Sequence, residues 1–180
     1  SLIDAVKASP AAVKSAFKAG YGIDVDVVLT PADYEALSQI TGDPAYVDAA
    51  TFVANLDNAQ KLYDAVKAMN VTKQQIFNMV YMVNVSQPLD ATMRGYIQQA
   101  LVLSHLTVPE FIGMLNKVGD LYDVINALGA SEKALFSSTF SVNLLNGINT
   151  MAEYDAFTSI VTAHKVYAWG TYDYAGAAAF

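Results

Sequence analysis

The sequence predicts an all-α fold, and three observations predict it. The stretch Leu62 to Phe77, LYDAVKAMNVTKQQIF, echoes LIDAVKASPAAVKSAF from Leu2 to Phe17 and LYDVINALGASEKALF from Leu121 to Phe136, at offsets of 60 and 59 residues. Apolar residues within each copy recur three and four positions apart, the period of a helix with one buried face. Short polar residues and prolines then punctuate the pattern where helices would start. Self-similarity at a fixed period marks a repeat architecture. The expectation is one all-α domain of three tandem helical repeats, 1–60, 61–119 and 120–168, with an aromatic C-terminal tail, 169–180. Roughly ten or eleven short helices would gather into a compact bundle or a short solenoid. The repeat matches none of the tetratricopeptide, ankyrin or HEAT signatures.

Each third opens on a short helix. Ser1 stands three residues before Asp4, the spacing of a capping box. Leu2, Ala5, Val6 and Ser9 share one face, matched by Leu62, Val66 and Met69, then by Leu121, Ile125 and Leu128. Pro10, Asn70 and Gly129 interrupt the pattern at corresponding turns.

A second helix carries an aromatic pair four residues apart: Phe17 with Tyr21, Phe77 with Tyr81, Phe136 with Phe140. Side chains at that spacing meet and form one broad apolar anchor. An echo follows, Ile23-Asp24-Val25, Val83-Asn84-Val85 and Val142-Asn143-Leu144, in which Asp or Asn suits a helix end or an Asx turn. Gly20, Gly22 and the alternation Ile23, Val25, Val27 suggest extended backbone in the first third, with longer helices in the other two.

The third helix is announced by Thr30-Pro31, a hydroxyl N-cap before a first-position proline. Asp90, and Asn149 or Thr150, stand in the same slot later. Its expected buried stripes are Tyr34, Leu37, Ile40; Tyr96, Ala100, Leu103; and Tyr154, Phe157, Ile160. A fourth helix is expected from Asp43-Pro44 and from Thr107, with Phe52 and Leu56, then Phe111 and Leu115, as anchors. In the last third the tail takes that helix's place. Four aromatics fall between Tyr167 and Tyr174, including Trp169, the single tryptophan.

Composition limits function. Hydrophobic residues make up 54% of the chain and charged ones only 15%, ample for a core and leaving apolar surface for partners to cover. A net charge of −7 argues against nucleic acid and anionic membranes, both of which select for lysine and arginine. The absence of cysteine removes disulfides, thiol chemistry and Cys-ligated zinc. The opening residues lack the layout of a signal peptide, and no apolar run reaches membrane-spanning length. A soluble chain of cytoplasmic synthesis is expected.

Candidate chemistry is sparse. Asp4, Asp64 and Asp123 recur in register and read as acids near helix N-termini. Asp24, Asp26, Asp33 and Glu35 cluster, but without the glycine and bidentate glutamate of a calcium loop, and the second third does not repeat them. His105 and His164 sit near helix ends, where a histidine suits the last carbonyls. The methionines, at helical spacing, read as core filler. There is no Gly-x-Ser-x-Gly, phosphate loop or dinucleotide fingerprint. No enzyme, cofactor or metal is therefore expected.

What remains is the tail. Tyr167, Trp169, Tyr172, Tyr174 and Phe180 are the candidate partner-binding residues, of the types enriched at interfaces. The expected function is a non-enzymatic structural or assembly protein, such as a phage capsid or tail accessory component of a virion. It would dock on copies of itself or on a larger complex. The alternative is a helical-repeat module that binds a protein or peptide in a groove.

Overall fold

Short polar caps start the helices close to where the sequence puts them. The computed structural model describes residues 1–145 and 147–163. Among these it has nine α-helices and no strand: α1 Leu2–Lys7, α2 Ala11–Tyr21, α3 Pro31–Gly42, α4 Ala49–Lys67, α5 Val71–Tyr81, α6 Ala91–Ser104, α7 Val108–Asn126, α8 Ala130–Phe140 and α9 Met151–Ala163. Ser1 Oγ accepts from the Asp4 N–H. Thr30 and Asp33 form a reciprocal capping box, with Pro31 in the first turn. Asp90 accepts from the Met93 N–H at 2.8 Å, and Thr150 from the Glu153 N–H at 3.2 Å. Each cap satisfies an N–H that the first turn leaves without an internal partner.

Among the described residues the helices number fewer than ten because two expected boundaries do not exist. Leu62 and Leu121, expected to open helices, lie inside α4 and α7, each 19 residues long. No glycine or proline interrupts Ala49–Lys67, so nothing stops the helix that Phe52 anchors from running on through Val66. In α7, Gly113 and Gly119 are tolerated. Lys73 lies across Gly119, where a Cβ would overlap its aliphatic stem, and its Nζ pairs with Asp120 at 2.7 Å. The start expected at Asp43-Pro44 is also corrected. Asp43 instead accepts from the Ala45 N–H in a turn, and Asp48 accepts from Thr51 N–H at 2.7 Å at the start of α4.

The three aromatic-pair helices α2, α5 and α8 are each 11 residues long. Longer helices in the second and third cases are thus not found. A left-handed residue ends each one: Gly22 at φ 74°, Met82 at φ 57° and Ser141 at φ 55°. Past this stop the Asx turns appear, Asp24 accepting from Asp26 N–H and Asn143 from Leu145 N–H, both at 3.0 Å.

Contacts gather the chain into two units, each drawing on separated stretches. The first joins Ser1–Lys67 with Val85–Val108; the second joins Ala68–Asn84 with the described residues from Pro109 onward. In the first, Leu2, Val6, Val13, Phe17, Ile23, Val25 and Leu56 form the core between α1, α2 and α4. α6 packs on α4 and α2. In the second, Phe77, Phe111, Leu115, Leu121, Ile125, Phe136 and Phe157 are buried, and α9 packs on α5. Ring geometry is shared. Phe17 meets Phe52 edge-on at 6.1 Å and 83°, and Phe77 meets Phe111 at 6.1 Å and 87°. Edge-to-face pairs of this kind add to the burial of the rings.

The third-helix stripes divide three ways. Tyr154, Phe157 and Ile160 are buried as expected. On α6 the buried row is Met93, Arg94, Ile97 and Ala100, so of the expected stripe Ala100 is buried while Tyr96 is half-buried and Leu103 exposed. An arginine in the row hid its true phase. α3 buries none of its residues fully.

Candidate functional site

An open apolar cleft of about 630 Å³ lies in the first unit, between α1, the loop after Val25 and α3. Local sequence builds it. Gly22 stops α2, and the turn at Asp24 sends Ile23 and Val25 into the core. Lys18 holds Asp24 at 2.7 Å and Lys14 holds Asp26 at 2.9 Å, pinning the turn against α2. The chain then emerges with Val27 and Val28 in solvent, Val28 being 91% exposed. Tyr34 and Leu37 on α3 and Ile3 on α1 complete the walls.

The electrostatics around it are those of paired surface charges. The Lys18 ammonium, helped by the Asp26 N–H, keeps the Asp24 carboxyl below its ordinary value. Hydrogen bonds from Thr30 do the same for Asp33. Three acids of the sequence cluster, Asp24, Asp26 and Asp33, are thus engaged in a turn, ion pairs and a helix cap. No group of three or more histidines or carboxylates that could hold a metal occurs among the described residues.

The recurring aspartates part company. Asp4 is a first-turn acid, but Asp64 and Asp123 sit toward the ends of the long helices α4 and α7. Asp123 accepts from Thr72 Oγ1 at 2.7 Å and Asn70 Nδ2 at 3.2 Å, tying α7 to the start of α5. Asp64 accepts from Gln60 Nε2 at 3.1 Å. The N-terminal dipole reading therefore fails for these two, because the helices do not begin where it assumed. His105 caps α6 in the left-handed conformation at φ 55°. Of the methionines, Met93 is buried, whereas Met79, Met82 and Met151 are exposed, so core filler does not describe them. His164 and the partner-binding candidates Tyr167, Trp169, Tyr172, Tyr174 and Phe180 lie outside the described residues.

Arg94 is the residue that sequence reasoning missed. It is 2% exposed, and its Nε and Nη1 have no hydrogen-bond acceptor. Gly20 on α2 makes room for it, since a Cβ there would overlap Nη1. Burial draws the guanidinium below its ordinary pKa, with Tyr21 and Asp90 opposing. Reading position 94 as the counterpart of Tyr34 and Tyr154 would have pointed inward, but arginine is so seldom buried that charge overrode phase.

In the second unit the corresponding contact is between two phenols. Tyr81 and Tyr154 meet edge-on, at 5.7 Å between ring centroids. Burial raises Tyr154 to about 12 and Tyr81 further still.

No family model matches this chain, and no curated protein or solved structure is detectably similar to it. No helix among the described residues is long and apolar enough to cross a membrane.

Proposed function

We propose that the chain is a non-enzymatic assembly subunit built from three tandem copies of one helical module. It docks on copies of itself or on a larger complex through apolar surface and residues 169–180. The observation that carries the reading is the concentration of exposed apolar residues, Val27, Val28 and Tyr34, around one cleft. Contiguous apolar surface of this kind is costly to leave in water and marks contact sites. The modular part is supported by the sequence frame at offsets of 60 and 59 residues and by three second helices of 11 residues that end alike. A phage or viral capsid or tail accessory subunit is the specific assembly proposed, on the absence of cysteine, the few charges, the triplicated frame and the apolar aromatic end of the sequence.

Truncation tests it. A chain ending at Trp169 should lose docking on a larger complex, or self-associate more weakly by light scattering, while keeping its helical circular dichroism. Unfolding of the truncated chain would make the tail part of the core and remove the docking role from it.

The cleft itself favours a second reading, a module that takes an apolar peptide between α1 and α3. That reading expects a monomer at every concentration, with Tyr34→Ala weakening peptide capture.

A further inference from the structure

Resting on the assembly reading, the geometry points to how copies would join: head to tail, with α3 of one copy seated on α8 of the next. The contact would continue a packing step that the chain already makes twice. In the first unit α6 lies on α2, with Arg94 over Gly20 and beside Tyr21. In the second, α9 lies on α5, with Tyr154 against Tyr81. In each case a third helix covers the second helix that precedes it by one module. The series leaves two elements over. Among the described residues, α3 makes no such pairing with a second helix, and α8 makes none with a third helix.

Exposure follows that logic at both ends. Tyr34, Arg94 and Tyr154 each stand four residues after the helix cap. Arg94 and Tyr154 are 2% and 5% exposed, but Tyr34 is 62% exposed. On the other side, Ala16, Ile76 and Leu135 are each the sixth residue of α2, α5 and α8. Ala16 and Ile76 are both 3% exposed, but Leu135 is 60% exposed. Ala16 lies one turn from Gly20, in the row that faces Arg94. Thr139, one turn beyond Leu135, is exposed as well, whereas its counterpart Val80 is buried. The residues uncovered on α3 and α8 therefore belong to the two sides of a single interface type. A joint between unlike patches does not close on itself as a two-fold dimer does. It propagates into a ring or a filament.

Sedimentation equilibrium on the full chain tests this with Tyr34→Asp, which spoils only the α3 side, and Leu135→Asp, which spoils only the α8 side. Both residues face solvent in the single chain, and circular dichroism checks that the variants fold. The wild type should associate beyond dimers. Each variant alone should remain monomeric, with at least a tenfold loss of association constant. An equimolar mixture should stop at one-to-one dimers, because one intact α3 and one intact α8 remain per pair. Variants that associate like the wild type, or a mixture that grows to wild-type size, would overturn the head-to-tail joint and leave the assembly reading standing. A chain that is monomeric until residues 164–180 are removed assigns α8 to its own C-terminal segment and overturns the joint. A wild type that never associates, with or without those residues, removes the assembly reading as well.

Discussion

Gly20 lies against the guanidinium of Arg94 with no room for even a methyl group between them. Glycine inside a helix ordinarily weakens it relative to alanine by about 0.5–1 kcal/mol, through lost backbone entropy. Here the contact with a buried arginine, whose Nε and Nη1 are unpartnered, outweighs that preference.

A change of sign should follow. Gly20→Ala in the wild type pushes on Arg94 and should lower stability. In an Arg94→Ala background the same change should raise stability by about 0.5–1 kcal/mol, as in an ordinary helix interior. Arg94→Met alone should be neutral or stabilising, because it removes donors that burial leaves unsatisfied, at a cost of about 1–3 kcal/mol. Urea unfolding of the wild type, Gly20→Ala, Arg94→Ala and their double variant in a double-mutant cycle, with Arg94→Met as a fifth chain, reads all of this. Additive effects would show that the two residues do not constrain each other.

The helix stops make a second prediction. Gly22 and Met82 end α2 and α5 in the same left-handed conformation, at φ 74° and 57°. That conformation costs a residue with a Cβ roughly 1–2 kcal/mol and glycine almost nothing. Met82→Gly should therefore stabilise the chain by about 1 kcal/mol. Gly22→Ala should destabilise it by a similar amount, although its Cβ would meet nothing within 4 Å. Thermal midpoints that move the other way would place the helix ends elsewhere.

Acid should reveal the turn and the caps. Asp24, Asp33 and Asp48 are all held below the ordinary value of 3.8 by hydrogen bonds to their charged forms, and Asp24 also by Lys18. A carboxyl whose folded pKa is depressed adds stability that is complete above its unfolded value and fades as pH falls through the folded one. Stability should thus decline below about pH 4. Asp24→Asn should flatten part of that decline and leave the region above pH 5 with the same slope. Carboxyl chemical shifts followed from pH 6 downward give each midpoint directly; midpoints at or above the ordinary value would contradict these contacts.

Much of the fold could be read from residue spacing because its signals are local. Thr30-Pro31 and Ser1 with Asp4 identify helix starts by chemistry that acts over three residues, and the pairs Phe17 with Tyr21 and Phe77 with Tyr81 mark faces by period alone. Ends were harder. Nothing between Phe52 and Leu62 distinguishes two helices from one long one, since continuity is the absence of a breaker and not a motif. Met82 and Ser141 stop their helices in a conformation that only Gly22 advertises. The phase of α6 was lost because Arg94 sits where an apolar residue would have revealed it. The cleft escaped notice for another reason: Val27 and Val28 look like core residues, and only the turn at Asp24 turns them outward. Exposure at Tyr34 and Leu135 depends on what packs beside them, which no single helix encodes.

Sedimentation equilibrium of the full wild-type chain over a roughly hundredfold range of concentration tests the central claim most directly. An assembly subunit with uncovered apolar faces should show a weight-average mass that climbs above the 19.3 kDa of one chain as concentration rises. A mass that stays at 19.3 kDa throughout would contradict the account.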